Sequence, residues 1–61
     1  MFYLFHICYL VDDIYESIIS LKNDNIEMID PVPREGLNNT LVAFAHPKSL
    51  NGVLIELAQK I

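Results

Sequence analysis

The sequence predicts an α+β fold, a single β-α-β-β-β module over residues 1–61 in which one helix covers one face of a four-stranded sheet. Two observations support this prediction. Strand-like apolar segments flank a single segment with helical periodicity and capping signals. In addition, 52% of the 61 residues are apolar and only 20% are charged, which is more apolar surface than so short a chain can bury. We therefore expect a second copy of the chain to complete the module.

The first element is an apolar run over residues 2–11 that is rich in aromatic and β-branched side chains, which favours a strand. Alternation gives it two apolar faces: Leu4, His6, Cys8 and Leu10 on one, and Tyr3, Phe5, Ile7, Tyr9 and Val11 on the other. Because both faces need cover, we predict an interior strand, in which Cys8 is a small buried apolar residue.

The second element is a helix of about three turns. Asp13 and Glu16 have the spacing of a capping box, with Asp in the Ser/Thr position, so we expect Asp12 and Asp13 to act first as capping residues. An apolar stripe then follows at helical spacing: Ile14, Ile18 and Leu21. Asn25 tolerates the left-handed conformation and is the expected stop.

Three shorter strands follow the helix. We predict the second strand at residues 26–29, a proline-containing loop over 31–39 and a third strand at 40–46. Pro47 and the pair Asn51-Gly52 indicate a turn before a fourth strand at 53–58.

The sheet face opposite the helix is predicted to carry apolar residues as well. If Glu56 points to that face, so do its neighbours in the alternation, Leu54 and Ala58, beside Cys8 and Leu10 of the first strand. Such a face cannot stay in water, and a homodimer with two-fold symmetry would cover it, each copy supplying half of a cup or barrel.

Composition excludes several functions. Eight acidic against four basic residues give a net charge of −4, so we expect no nucleic acid partner. The ten-residue apolar run over 2–11 is too short to span a bilayer and lacks a basic flank, so we expect neither a membrane segment nor a targeting signal. One cysteine excludes an intrachain disulfide, and a cytoplasmic location is the expectation.

Two residues interrupt the apolar strands. His6 lies within the first strand and Glu56 between Ile55 and Leu57 of the fourth. The pattern alone fits a hydrogen-bonded core His6 with Glu56 pointing outward. It also fits a metal site, because a homodimer would bring two imidazoles and two carboxylates together, a ligand set that suits a divalent transition metal.

Three further residues have weaker functional signals. His46, next to Pro47, fits a surface turn better than a ligand position. Arg34 and Lys48 lie near the predicted loops, where they are either ordinary solvated charges or contacts for an anionic substrate such as a phosphate or a carboxylate.

Two segments carry a family resemblance: H-I-C-Y-L-V-D-D-I from His6, and V-A-F-A-H-P-K-S followed by G-V-L-I-E-L, which ends at Leu57. Together they resemble the vicinal oxygen chelate (glyoxalase/bleomycin resistance/dioxygenase) superfamily, and within it the C-terminal half of the methylmalonyl-CoA epimerases. The resemblance implies a glyoxalase-like module, normally present twice in one chain, that pairs into a cupped sheet around a divalent metal.

The resemblance also implies a chemistry and a site. His6 and Glu56 match the metal ligands of the family, and Glu56 would also be the catalytic acid or base. The implied reaction is proton transfer α to a carbonyl of an acyl-CoA or similar thioester, assisted by cobalt, nickel, zinc or manganese. A glyoxalase I-like lyase and a metal-free small-molecule-binding module of the bleomycin-resistance type are the alternatives. A further alternative is a subunit that needs a separate N-terminal module.

Overall fold

A computed structural model describes residues 5–61. Its elements, in chain order, are β1 (Phe5–Leu10), α1 (Ile14–Asn23), β2 (Arg34–Glu35), β3 (Thr40–Ala45), a 3-10 turn (Pro47–Ser49) and β4 (Val53–Lys60). The predicted order of one strand, one helix and three strands is confirmed. The predicted positions of Tyr3 and Leu4 in the first strand lie outside the described residues.

The four strands form one mixed sheet in the order β1-β4-β3-β2. The first and last strands are parallel neighbours, with His6 opposite Leu54 and Cys8 opposite Glu56. The remaining pairs, β3 with β4 and β2 with β3, are antiparallel. The chain therefore returns its last strand to the side of its first, which brings residues from both ends of the sequence onto one surface.

Local signals define both ends of α1. At its start, an Asp13 carboxylate oxygen accepts a hydrogen bond from the Glu16 backbone N–H at 3.2 Å, as the capping pattern predicted. At its end, Asn25 has a φ of 63°, and the N–H of Ile26 donates to the carbonyl of Leu21 at 3.0 Å. This is the Schellman arrangement, which satisfies the last carbonyls of the helix. The helix therefore begins and ends where the sequence predicted.

The hydrophobic core lies between α1 and the sheet. It consists of residues that are at most 5% exposed: Ile14, Ile18, Ala43 and Leu57. The small side chain of Ala43 lets the helix approach the middle of the sheet closely. Gln59 of β4 fixes the helix start, because its side-chain oxygen accepts the Ile14 N–H at 2.8 Å. One helix covers one face, as predicted.

The prediction of a second strand at residues 26–29 is wrong. That segment contributes a single bridge, Met28 opposite Ala45, and β2 lies instead in the predicted loop, at Arg34–Glu35. The segment does bond to the end of β3. The Glu27 carbonyl accepts the His46 N–H, and the Ile29 N–H donates to the Phe44 carbonyl. The Asp30 carboxylate then accepts hydrogen bonds from the Phe44 N–H and the Arg34 Nε–H, and the chain turns away before a ladder forms.

The prediction that the first strand is interior is also wrong. Within residues 5–61, β1 lies at the edge of the sheet and each of its residues is exposed, including Cys8. Phe5 and Leu10 are 77% and 68% exposed. A strand with two apolar faces indicates that it needs cover, but the pattern does not say whether that cover comes from the same chain. Here the helix covers β3 and β4, and β1 projects beyond it.

The connection from β3 to β4 follows the predicted turn. Pro47 starts the 3-10 turn, and Asn51 and Gly52 have positive φ values of 54° and 84°, which lets the chain reverse tightly. The fourth strand is longer than predicted and reaches Lys60.

Candidate functional site

Strand register determines which residues share the face opposite the helix, here called the open face. Residues paired across strands point to the same side, so the pairing of Glu56 with both Cys8 and Phe44 places all three side chains on this face. His6 joins them because it lies two residues from Cys8. The alternative in which Glu56 points away from His6 does not occur.

His6 and Glu56 are in direct contact. The imidazole Nε2 lies 3.0 Å from Oε1 of the carboxylate, although the two residues are separated by 50 positions in the chain. The side chains are 50% and 20% exposed, so His6 is not the buried core histidine that the pattern also allowed. The parallel pairing of β1 with β4 creates this contact, which lies on a mainly apolar face open to solvent.

The same spacing is compatible with a metal ion. Typical bond lengths of about 2.0–2.2 Å from a divalent ion to nitrogen and oxygen place adjacent ligands of an octahedral ion about 3 Å apart. His6 and Glu56 therefore fit neighbouring positions around one ion. Over residues 5–61, no group of three or more His, Cys, Asp or Glu side chains is arranged to hold a metal. One chain thus offers two ligands, which is half of a typical set.

Phe44 lines the open face next to this pair, and the sequence did not single it out. Its ring centroid is 5.8 Å from that of His6, with 41° between the ring planes, which lies within the range of favourable aromatic pairs. The ring restricts where the imidazole can rest. The sequence could have indicated that Phe44 shares a face with Glu56 only if the register of β3 with β4 were already known.

Cys8 lies next to Glu56 in the register and is exposed, contrary to the prediction that it is buried. Neighbouring atoms partly desolvate its thiol and raise its pKa above the ordinary value, and the negative charge of Glu56 raises that pKa further. The raised pKa favours the neutral thiol over the thiolate, which lowers the reactivity of Cys8 as a nucleophile.

Arg34 is a basic residue that also lies on the open face. Its register partner is Val42, which in turn pairs with Ala58, so all three point to the same side of the sheet as Glu56. The guanidinium carbon lies 5.6 Å from the centroid of the Phe44 ring. The sequence placed Arg34 in a loop, and its position in β2 puts it beside the candidate site.

His46 and Lys48 lie in the turn after β3. The Nδ1 atom of His46 accepts the Lys48 N–H at 3.1 Å and so caps the 3-10 turn, which confirms the predicted turn role. The ammonium of Lys48 lies 2.7 Å from a carboxylate oxygen of Glu27. The hydrogen bond and the positive charge of Lys48 lower the pKa of Glu27. These residues hold the segment before β2 against the turn.

The chain is similar to known proteins in both sequence and structure. No family model matches the chain. The mitochondrial methylmalonyl-CoA epimerase of Dictyostelium discoideum is 49% identical over 55 residues, which are 90% of this chain and 33% of that protein. Because this relative is mitochondrial, the cytoplasmic location expected from the sequence stays a prediction. Among residues 5–61, no helical segment has both the length and the apolar character that a membrane span requires.

Solved structures show the same similarity in three dimensions. A hypothetical protein from Bacillus halodurans C-125 superposes with a TM-score of 0.88 at 38% identity, covering 93% of this chain and 41% of that one. A Streptomyces coelicolor methylmalonyl-CoA epimerase variant in complex with 2-nitronate-propionyl-CoA gives 0.85 at 27% identity, covering 90% and 38%.

The chain spans between about a third and two fifths of the length of these relatives. The predicted fold class is confirmed over that part, as one helix on a four-stranded mixed sheet. The chain is thus an α+β half-module with the fold of the glyoxalase-like epimerases, and methylmalonyl-CoA epimerases are among its homologues.

Proposed function

We propose that this chain is an epimerase-like isomerase that moves a proton at the carbon α to a thioester carbonyl, with methylmalonyl-CoA or a close analogue as substrate. The observation that carries the proposal is the contact between His6 and Glu56 on the open face, in a chain whose relatives include methylmalonyl-CoA epimerases. The proposal covers 1–61 as one functional module.

The role of His6 and Glu56 would be to hold a divalent ion. Such an ion supplies fixed positive charge where negative charge develops on the carbonyl oxygen as the α proton leaves. His6 would contribute an imidazole nitrogen, and the Phe44 ring packs beside it. A second copy closing over this apolar face, which includes Leu54 and Val42, would reduce competition from water.

Glu56 would also exchange the proton. Its carboxylate contacts His6 through Oε1, and a carboxylate has a second oxygen that can accept a proton from carbon. Because one carboxylate cannot hold the ion and take the proton equally well, we propose that the Glu56 side chains of two copies divide these tasks.

A second copy is therefore part of the proposal. The edge strand β1 exposes large apolar side chains, such as Tyr9 at 52% and Leu10 at 68%, and its outer edge has no strand beside it among the described residues. A two-fold pair would cover this surface and supply a second His6 and a second Glu56. The ligand count would then match that of a metal centre.

The test measures solvent deuterium incorporation at the α carbon of methylmalonyl-CoA, with nickel, cobalt, zinc or manganese added in turn. The metal that supports activity is expected to raise the melting temperature as well, because it binds the folded state. Glu56→Gln is expected to lower the exchange rate by about a hundredfold or more, the usual contribution of a general acid or base. His46→Asn is the matched control, since Asn keeps a capping acceptor.

Two results would redirect the proposal. If the chain consumes the hemithioacetal of methylglyoxal and glutathione but exchanges no proton of methylmalonyl-CoA, it is a lyase of the glyoxalase I type. If it binds a small molecule equally well after His6→Ala and Glu56→Ala together, it is a metal-free binding module. No exchange and no thermal shift with any of the four metals would contradict the enzyme proposal.

A further inference from the structure

The positive charge of Arg34 is held in a defined place beside the candidate site. Its Nε donates to Oδ1 of Asp30 at 3.2 Å. The other oxygen of Asp30 accepts the Phe44 backbone N–H at 2.9 Å, so the carboxylate is itself fixed to β3. Asp30 is 16% exposed, whereas the side chain of Arg34 is 60% exposed. A well-anchored acid thus orients an accessible base.

Phe44 connects this base to the His6 and Glu56 pair. The ring lies within cation-π distance of the Arg34 guanidinium, at 5.6 Å, and within aromatic contact distance of the His6 ring, at 5.8 Å. The distance from the guanidinium to the imidazole therefore cannot exceed the sum of these two distances. Both groups lie on the open face, so a ligand bound at the pair can reach the base.

The hydrogen-bonding capacity of Arg34 is only partly used by the protein. Between Phe5 and Ile61 its guanidinium bonds to protein through Nε, and its two terminal nitrogens carry the donors that form bidentate bonds with carboxylate or phosphate oxygens. The chain carries a net charge of −4, so an anionic ligand needs a local cation to approach it.

We propose that Arg34 binds an anionic oxygen group of the substrate and so selects acyl-CoA esters that present such a group to the open face. This inference rests on the proposed function and extends it to substrate recognition. Asp30 acts as the positioning residue that holds the guanidinium against Phe44. The recognised group is either the free carboxylate of the acyl part or a phosphate of the CoA part, which share the same chemistry.

The experiment measures dissociation constants by calorimetry for the full chain and its Arg34→Gln variant. Methylmalonyl-CoA is expected to bind about tenfold more weakly to the variant, equivalent to one charge-assisted hydrogen bond. Arg34→Lys is expected to recover part of the loss. Lys22→Gln, which removes a charge from the helix side of the molecule, is the matched control and is expected to change binding less than about twofold.

Two more ligands separate the sources of the anion. Propionyl-CoA lacks the free carboxylate, so equal affinity for the chain and for Arg34→Gln assigns Arg34 to that carboxylate. Methylmalonyl-pantetheine lacks the nucleotide phosphates, so equal affinity there assigns Arg34 to a phosphate. A folding defect would weaken all three ligands alike and is checked by circular dichroism.

Failure of the Arg34 role and failure of the proposed function give different results. If the chain binds methylmalonyl-CoA and catalyses exchange, but Arg34→Gln binds all three ligands as the unaltered chain does, the role of Arg34 is wrong and the proposed function stands. If the unaltered chain binds none of the CoA esters, the proposed function fails and the inference fails with it.

Discussion

The two faces of the sheet differ in how completely this chain finishes them. On the helix side, Ile14 and Ala43 have no exposed surface, and capping bonds fix the helix above them. On the open face, Leu10 is 68% exposed, and His6, Glu56 and Arg34 lie in or beside apolar surroundings. The first face is a closed core. The second has the composition typical of a ligand-binding surface, with polar groups placed at defined points within an apolar patch.

The largest expected effect comes from breaking the closed face. Ile14→Ala removes a fully buried side chain, and the lost burial and remaining cavity should cost about 2–5 kcal/mol. A chain of this size has only about 3–5 kcal/mol from its core, so the variant should be largely unfolded. Urea unfolding followed by circular dichroism measures the loss.

The matched control for that variant lies on the same helix. Ile19 is 53% exposed, so Ile19→Ala should stay within about 0.5 kcal/mol of the unaltered chain. Equal losses from Ile14→Ala and Ile19→Ala would contradict the placement of the core.

The next effect concerns the support beneath β2 and Arg34. A Cβ atom added at Gly36 would lie 2.8 Å from the Thr40 hydroxyl and 2.9 Å from a methyl group of Val42, so neighbouring atoms must move. We expect Gly36→Ala to cost about 1–3 kcal/mol, the usual cost of overpacking. Thermal unfolding gives the change. Gly52→Ser, at a glycine with no atom within 4 Å of the added Cβ, separates crowding from the strain of a positive φ.

The open face should respond differently from the closed one. Leu10→Ser removes an exposed apolar side chain from β1, so the stability of the single chain should change by no more than about 0.5 kcal/mol. Association should nevertheless weaken, because less apolar area is available for a second copy. Sedimentation over a range of protein concentrations measures the association, and urea unfolding measures the stability of the chain. Unchanged association would exclude Leu10 from the proposed interface.

Much of the closed face could be predicted from the sequence because its signals are local. The cap at Asp13, the stop at Asn25 and the stripe of Ile14 and Ile18 each depend on residues within a few positions of one another. The prediction of a strand at residues 26–29 failed because the strand-like sequence of this segment does not reveal that the chain turns away at Asp30, whose side chain bonds to β3.

The open face could be predicted only in part. Alternation left open whether His6 and Glu56 share a side, and only the family resemblance paired them. Their 3.0 Å contact depends on the parallel register of β1 with β4. The arrangement of Arg34, Phe44 and Asp30 depends on two further registers, which join residues far apart in the chain. The edge position of β1 follows from the strand order, and strand order is not contained in any local pattern.

The smallest expected effect lies outside both faces, at the ion pair of Glu27 with Lys48. The pKa of Glu27 is lower in the folded chain than its ordinary value of about 4.5 because Lys48 bonds to its carboxylate. Its contribution to stability is therefore present above that ordinary value and is lost as the pH falls through the lowered pKa. Both side chains are more than half exposed, so the effect should be slight.

Melting temperatures measured from neutral to acidic pH check this prediction. The unaltered chain should lose slightly more stability than Lys48→Gln across the acidic range, and added salt should reduce the difference. A larger acid sensitivity in Lys48→Gln would contradict the assigned cause.

We propose that the open face of one chain is half of a metal-dependent site. Native mass spectrometry of the full chain, with the supporting metal present, tests it most directly because it reports chain number and metal content together. We expect a particle of two chains and one ion, and loss of the ion from the His6→Ala variant. Single chains without metal, or a pair whose ion survives both His6→Ala and Glu56→Ala, would contradict it.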